Sequence, residues 1–170
     1  MHLPIIQNFY SQDVLEVAPR LPGKKIIRII NGNRKEYIIK EVEAYRGTED
    51  MACHASKGRT KRTEIMYHEG GHIYMYLIYG MYWMLNIVTG PKDNPQAILI
   101  RQINDVTGPG RVSRELQLDG SFYGERIFES ERIWLEEGII SPEIQTAPRI
   151  GVEYSGDYWR SVPWRFFINP

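Results

Sequence analysis

The chain has 170 residues, of which 42% are hydrophobic, so it can bury one substantial core but is too short for two domains of ordinary size. Its 21 basic residues balance 21 acidic ones, and a net charge of zero excludes the broad positive field of a non-specific nucleic-acid coat protein. We therefore expect one domain over residues 1–170, with any nucleic-acid contact confined to a local surface.

The chain start and the cysteine content favour an intracellular protein. Residues 1–6 lack a charged segment followed by a long apolar run, so we expect no signal peptide. The single cysteine, Cys53, excludes an internal disulfide and a four-cysteine metal site. The expected location is the cytoplasm or nucleoid in a prokaryote and the nucleus in a eukaryote, with no membrane association.

The first elements are a short helix and a hairpin. Residues 11–13 can cap a helix through Val14 and Val17 that Pro19 would end. Residues 25–30 and 35–45 are rich in β-branched side chains and flank Asn31-Gly32-Asn33, which predicts a β-hairpin.

A long loop should follow. Residues 46–72 are polar and contain several glycines, a composition typical of a functional loop. A basic cluster lies within it, formed by Lys57, Arg59, Lys61 and Arg62.

The next segment is apolar and aromatic. Residues 73–88 contain Gly80 and Asn86 and are too short to cross a membrane, so they favour a hairpin that turns near Tyr79. Residues 97–100 indicate a buried strand ending at Arg101, and residues 111–118 a short helix with a proline near its first turn. These strands and short helices predict an α+β fold with a curved, mainly antiparallel sheet and a protruding hairpin.

One strand brings a carboxylate beside an aromatic ring. Because side chains alternate along a strand, Glu41, Glu43 and Tyr45 share one face. His54 and the hairpin tyrosines can add further aromatic faces. Such a pocket suits a flat heterocycle, since an enzyme that acts on a nucleobase must first take it out of the stack.

Several ordered motifs resemble one known family. Residues 41–47 with Asp50 and His54 are similar to the first active-site segment of the alkyladenine (3-methyladenine) DNA glycosylases, residues 74–82 with Asn86 to the second, and residues 97–101 to the third. Residues 107–111, 148–152 and 163–166 resemble the remaining signatures, so the likeness spans nearly the whole chain. The family is the mammalian-type methylpurine glycosylase superfamily.

The resemblance implies an activity, a substrate and a role for each matching position. It implies a base-excision-repair enzyme, acting as a monomer without metal or cofactor, that removes damaged purines (3-methyladenine, 7-methylguanine, hypoxanthine and ethenoadenine) from double-stranded DNA. Glu43 would activate the attacking water and Arg101 would orient it. The other matching positions are Tyr45, His54 and Tyr76 around the base, Tyr79 as the residue that enters the minor groove, and Asn86 against normal guanine.

Two further consequences follow from the resemblance. Enzymes of this kind that also cut the strand use an amine nucleophile, and a glutamate stands at the matching position, so we expect an intact abasic strand. Tyr76 and Asn86 can share one pocket only if the hairpin has a three-residue loop, Tyr79-Gly80-Met81, or a bulge, because a two-residue turn would put them on opposite faces.

The chain departs from the family pattern in the basic loop. The family commonly reads Arg-Thr-Pro-Arg-Asn after the histidine, whereas residues 59–63 read Arg-Thr-Lys-Arg-Thr.

Each residue taken singly also has an ordinary structural reading, such as a solvated strand carboxylate for Glu43 or an ion-pair partner for Arg101. Their joint order is what favours a glycosylase.

Two other functions stay open from the residues. One is a catalytically inactive DNA-binding relative, against which the presence of Glu43 and Arg101 argues. The other is a zinc hydrolase, because residues 68–72 read His-Glu-Gly-Gly-His and match the helical H-E-x-x-H motif. Two adjacent glycines disfavour that helix by roughly 2 kcal/mol.

Overall fold

A computed structural model describes residues 3–169. Within them nine strands form, and they are β1 (Lys25–Ile30), β2 (Asn33–Arg46), β3 (Ile73–Ile78), β4 (Tyr82–Thr89), β5 (Gln96–Ile103), β6 (Val106–Thr107), β7 (Ile133–Glu136), β8 (Gln145–Ala147) and β9 (Arg165–Phe167). The α-helices of the same residues are α1 (Gln7–Tyr10), α2 (Val14–Val17), α3 (Pro109–Glu115) and α4 (Asp157–Ser161). Short 3-10 helices cover Ala18–Arg20, His54–Lys57, Glu64–Tyr67, Gly120–Phe122 and Glu153–Ser155.

The strands make one antiparallel sheet. Its main path runs β3-β4-β5-β2-β1-β7, with β6 beside β5 and with β9 paired to both β2 and β8. The expected α+β class, a mainly antiparallel sheet with a protruding hairpin and peripheral short helices, is confirmed. None of the helices between residues 3 and 169 is both long and apolar enough to span a bilayer.

The first hairpin forms where the sequence places it. Ile30 pairs with Asn33, so Asn31 and Gly32 make a two-residue turn, and β2 begins at residue 33 rather than 35. Both turn residues have positive φ, of 51° and 77°, as the favoured hairpin turns require.

Strand β2 has 14 residues and serves two parts of the sheet. Its first half pairs with β1, and its second half lies between β5 and β9. The register shifts between Ile39 and Glu41 and again between Glu41 and Val42. Irregularities of this kind bend a strand and increase its twist, so the end that carries Glu43 is turned away from the β1 hairpin.

The two faces of this part of the sheet have different partners. One face carries Val42, Ala44, Ile87, Ile98 and Ile100, which are fully buried in the main hydrophobic core. Alternation places the intervening residues of β2, β4 and β5 on the opposite face, where a second, smaller cluster forms with residues 53–67 of the long loop. The cavity described below lies on this second face.

Short helices cover the edges. Asp13 caps α2 by accepting a hydrogen bond of 2.9 Å from the backbone N–H of Leu15, which confirms the expected cap and is worth about 1 kcal/mol. Helix α3 starts at Pro109, two residues before the expected start, because the proline already occupies the first turn. It ends at Glu115, since Gln117 has a φ of 51° that does not continue a right-handed helix.

Candidate active site

The second hairpin places the aromatic residues. Ile78 pairs with Tyr82, which leaves the three-residue loop Tyr79-Gly80-Met81. Tyr74 therefore lies opposite Asn86, and Tyr76 opposite Met84, on one face. The predicted three-residue loop is confirmed. Residues 79 and 80 both have positive φ, of 54° and 65°, which lets the chain reverse within the loop.

A cavity of about 310 Å³ opens on this face. The six residues expected from the sequence to form the catalytic and base-binding site all line it, and they are Glu43, Tyr45, His54, Tyr76, Asn86 and Arg101. Its wall also includes Tyr74, Met84, Leu99, Ile150 and Tyr154. Four strands and the loops beside them thus bring together residues that lie far apart in sequence.

The carboxylate of Glu43 is held on both oxygens. Its side chain has no exposed surface. Oε1 accepts a hydrogen bond of 2.8 Å from the Tyr45 hydroxyl, and Oε2 accepts one of 2.6 Å from the backbone N–H of Ile150. Burial raises the pKa of Glu43, while Arg101 and these two donors oppose that rise. The group is therefore a stronger base than an exposed glutamate, and it has a fixed orientation.

Arg101 contacts two carboxylates. Its Nε donates to Oε2 of Glu41 at 2.8 Å, and its Nη1 lies 3.7 Å from Oε1 of Glu43. Glu41 also lies 3.4 Å from Arg165 of β9. The resemblance implied that Arg101 lies beside Glu43, but its shorter contact is with Glu41, which holds the guanidinium near Glu43.

His54 presents a neutral ring. Its Nδ1 is 2.8 Å from the Tyr74 hydroxyl, and its ring meets that of Tyr76 edge to face at a centroid distance of 4.5 Å. Burial, together with the charges of Arg62 and Lys57, lowers the pKa of His54 to about 4. The imidazole is therefore uncharged at neutral pH.

Asn86 is buried at the cavity wall. Its Nδ2 donates to the backbone carbonyls of Tyr74 and Met84, both at 3.3 Å. Because the amide nitrogen is directed at these carbonyls, the side chain is held by the two strands of the hairpin. It therefore presents a fixed polar group to the cavity.

The remaining residues expected from the sequence lie at the edge of the cavity or around it. Tyr79 is 88% exposed at the hairpin tip. Arg62 lines the cavity, with its guanidinium 5.1 Å from the centre of the Tyr76 ring. Lys57 and Arg62 line an adjoining hollow of about 330 Å³, and Lys61 is exposed.

Arg59 differs from the other basic loop residues because acidic neighbours engage it. It forms hydrogen bonds of 2.7 Å and 2.8 Å with Glu64 and lies 3.4 Å from Asp93. Where the family has an asparagine, Thr63 shapes the loop: Thr60 and Thr63 exchange hydrogen bonds, and Thr63 also donates to Gly58.

The sequence motifs include Arg149, Ile150 and Asp50 but assign none of them a role beside the carboxylate of Glu43. Ile150 donates to it directly, and the neighbouring Arg149 makes a buried ion pair with Asp50. The motif over residues 148–152 indicates that this segment belongs to the site, but it does not show which groups Arg149 and Ile150 contact.

Residues 68–72 do not form the helix that a zinc-binding H-E-x-x-H motif requires. Gly71 has a φ of 101°, and a Cβ on Gly70 would lie 1.9 Å from the backbone oxygen of Tyr10. His72 Nδ1 is 2.6 Å from the backbone oxygen of Glu69. The glycines are required by this close packing, and across residues 3–169 no group of three or more His, Cys, Asp or Glu side chains is placed to hold a metal ion.

Cys53 packs beneath the loop. Burial raises the pKa of its thiol to about 12, so it stays protonated and behaves as a small apolar side chain.

A buried carboxylate, an aromatic cavity and an exposed hairpin tip form the arrangement expected of a base-excising enzyme. The profile of the methylpurine-DNA glycosylase (MPG) family matches residues 8–107 and 104–170. The chain belongs to this family, and it is a DNA glycosylase, a hydrolase of DNA repair that acts on DNA.

Curated relatives assigned as 3-methyladenine DNA glycosylases are similar over most of their length. The chain is 37% identical to one from Methanocella arvoryzae, over 97% of this chain and 92% of the relative. Identity is also 37% to relatives from Bacillus cereus, over 95% and 94%, and from Psychrobacter cryohalolentis, over 88% and 85%.

Proposed function

We propose that the chain binds damaged purines rotated out of double-stranded DNA and hydrolyses their N-glycosidic bond with a water molecule activated by Glu43. The observation that carries the proposal is the geometry of Glu43. This carboxylate is fully buried, is oriented by two hydrogen bonds and lines a cavity walled by aromatic rings. A structural carboxylate would have no need of an open cavity beside it.

The environment of Glu43 fits the chemistry of this bond. Glycosidic cleavage passes through a state with positive charge on the sugar, which a nearby carboxylate stabilises. The same carboxylate can take a proton from the water that attacks C1′. Arg101, 3.7 Å away, favours the ionised form that both roles require.

The cavity suits a single flat base. Its volume of about 310 Å³ is at the lower end of the range for small-molecule sites. Tyr45, His54 and Tyr76 supply the rings against which the base would lie. Because His54 is neutral at pH 7, it does not repel the positive charge that purines methylated at N3 or N7 carry. The substrate class we propose comprises 3-methyladenine, 7-methylguanine, hypoxanthine and ethenoadenine.

The hairpin tip and the basic loop would hold the rest of the DNA. Tyr79 is exposed on a tight three-residue loop, so it can enter the minor groove and fill the place of the rotated nucleotide. Lys57, Lys61 and Arg62 are exposed beside the cavity and can contact phosphates. Arg59 should contribute less, because Glu64 already neutralises it.

The composition of the cavity supports base release without strand cleavage. Glycosylases that cut the strand need an amine nucleophile. Among the described residues that line the cavity none is a lysine. We therefore propose a monofunctional enzyme that leaves an intact abasic strand.

The test is product analysis on a set of duplexes that carry one lesion each. Separate measurements of free base and of strand scission, before and after alkali, distinguish the activities. The proposal requires free base with an intact strand that alkali then cleaves. Scission without alkali would overturn the monofunctional assignment, and tight binding of lesion duplexes without any free base would instead show an inactive relative.

A further inference from the structure

The side chain of Arg149 is completely buried behind the cavity. It forms a two-pronged ion pair with Asp50, with nitrogen to oxygen distances of 2.6 Å and 2.9 Å. The side chains of both residues have no exposed surface. The guanidinium also donates to the backbone oxygens of Ala44 on β2 and Trp159 in α4, at 2.9 Å and 3.1 Å. Arg149 therefore joins segments that are about a hundred residues apart.

Arg149 is connected to Glu43 through the main chain of the next residue. The next residue is Ile150, whose backbone N–H donates to Oε2 of Glu43 at 2.6 Å. The position of this N–H depends on the path of residues 148–152, and the ion pair with Asp50 anchors that path. A hydrogen bond to a charged group contributes more than one between neutral groups, so small movements of the segment change the environment of the carboxylate.

Arg149 also supports a ring of the cavity. Its guanidinium lies 4.9 Å from the centre of the Tyr45 ring and 5.1 Å from that of Trp164. Tyr45 is the residue whose hydroxyl holds the other oxygen of Glu43. Both hydrogen bonds to the carboxylate therefore depend on groups that Arg149 contacts or adjoins.

A contribution to folding stability does not by itself explain the buried ion pair of Arg149 and Asp50. The burial of two charges costs several kcal/mol per ion, and well-packed apolar residues often serve a fold as well as a buried ion pair does. An apolar pair cannot provide a set of fixed N–H donors. Those of Arg149 tie its own segment to Ala44 of β2, to Asp50 and to Trp159 of α4.

We propose that Arg149, held by Asp50, is a positioning residue that fixes the Ile150 N–H and the Tyr45 hydroxyl against the Glu43 carboxylate. The inference rests on the proposed role of Glu43 as the base. Arg149 does not line the cavity. Its positive charge lowers the pKa of Glu43 directly, and its effect on the geometry of the carboxylate passes through those two donors.

The surroundings of Glu43 make this influence measurable by pH. The titratable and charged groups that face its carboxylate or share a partner with it are Glu41 and Tyr45 on β2, Tyr76 on β3, Arg101 on β5, Arg165 on β9, Arg149, and Tyr154 in the segment Glu153–Ser155. Since the Ile150 N–H lowers the pKa of Glu43, its displacement moves the acid limb of the pH–rate profile to higher pH.

Two variants separate positioning from folding. Arg149→Lys keeps the charge but loses the fork. Incorporation of the α-hydroxy acid of isoleucine at position 150 turns the Arg149–Ile150 amide into an ester, which replaces the N–H by an oxygen and leaves every side chain unchanged. The matched control is Arg28→Lys, since Arg28 is a buried arginine that donates to the backbone carbonyls of Leu116 and Gln117 and does not line the cavity. For each protein we measure thermal stability, affinity for a duplex with an abasic-site analogue, and single-turnover base release against pH.

We expect both test variants to move the acid limb upward and to slow base release on the order of 10-fold, while duplex affinity changes by less than about 3-fold. Arg28→Lys should lose stability with an unchanged limb. An unmoved limb in the ester variant overturns the proposal, even if Arg149→Lys fails to fold. Failure of the proposed function would give a different result. The wild type would then release no base, or Glu43→Gln would release it at the rate of the wild type.

Discussion

The hydroxyl of Tyr45 donates a 2.8 Å hydrogen bond to Oε1 of Glu43, two residues earlier on the same strand. Strand alternation brings the two side chains to one face, and Tyr45 also lines the cavity. The ring proposed to lie against the base therefore also orients the carboxylate proposed to activate the water. In the proposed mechanism, one side chain thus couples base binding to water activation.

Removal of the Tyr45 hydroxyl should change catalysis but not binding. Tyr45→Phe keeps the ring and deletes a bond that lowers the pKa of Glu43. Without that bond the pKa of Glu43 rises further. Since base release requires the ionised carboxylate, its rate should begin to fall at a higher pH in the variant than in the wild type. We expect a decrease of about 10-fold near pH 6 and a smaller one at pH 8. Tyr37→Phe is the control, because Tyr37 contacts Glu115 away from the cavity, and equal profiles for Tyr45→Phe and wild type would contradict the coupling.

Glu41 and Arg101 should act as a unit. Because Nε of Arg101 bonds to Glu41, Glu41→Gln loosens the guanidinium, while Arg101→Gln removes it. We expect the second change to slow base release by about 100-fold and the first by less. The double variant should be no slower than Arg101→Gln alone. Additive losses in this double-mutant cycle would show that the two side chains act independently.

The low pKa of His54 should appear in stability. With a folded pKa of about 4 against 6.5 in the unfolded chain, the unfolded state binds more protons between these values, so stability falls as pH drops through that window. The loss attributable to His54 is on the order of 3 kcal/mol. Urea unfolding at pH 7.5 and 4.5 should show a smaller decrease for His54→Gln than for wild type, and the same decrease in both would refute the assignment.

Asn86 should matter for discrimination rather than for rate. Its amide is held by backbone carbonyls and presents a fixed polar group to the cavity. Asn86→Ala removes that obstacle, so release of normal guanine should increase about 10-fold relative to release of hypoxanthine. Competition between the two duplexes in one reaction measures the ratio. An unchanged ratio would assign discrimination to another part of the cavity.

Local patterns predicted much of the fold. The pair Asn31-Gly32 and the glycine at position 80 indicate hairpins because asparagine and glycine accept positive φ, and Asp13 marks a helix start because its carboxylate can cap one. The three-residue loop followed from the requirement that Tyr76 and Asn86 share a face. The register shifts around Glu41 carried no comparable signal, since they depend on how β2 fits between two partner strands.

The placement of the candidate site residues was predictable where motifs mark them, and not where segments far apart in sequence meet. Glu43 and Arg101 stand in recognisable strands. The pairing of Arg149 with Asp50 depends on the path of the chain between them, and the engagement of Arg59 by Glu64 depends on the fold of the loop. In sequence, Arg59 is one more member of a basic cluster.

The most direct test of the central claim compares Glu43→Gln with the wild type in single-turnover release of a damaged purine from duplex DNA at pH 7. Glutamine has nearly the same shape but cannot accept a proton from water. The proposed chemistry predicts that the variant binds the lesion duplex with affinity within about 3-fold of the parent and releases the base at least about 1000-fold more slowly. Release by Glu43→Gln at the parental rate would show that another group activates the water.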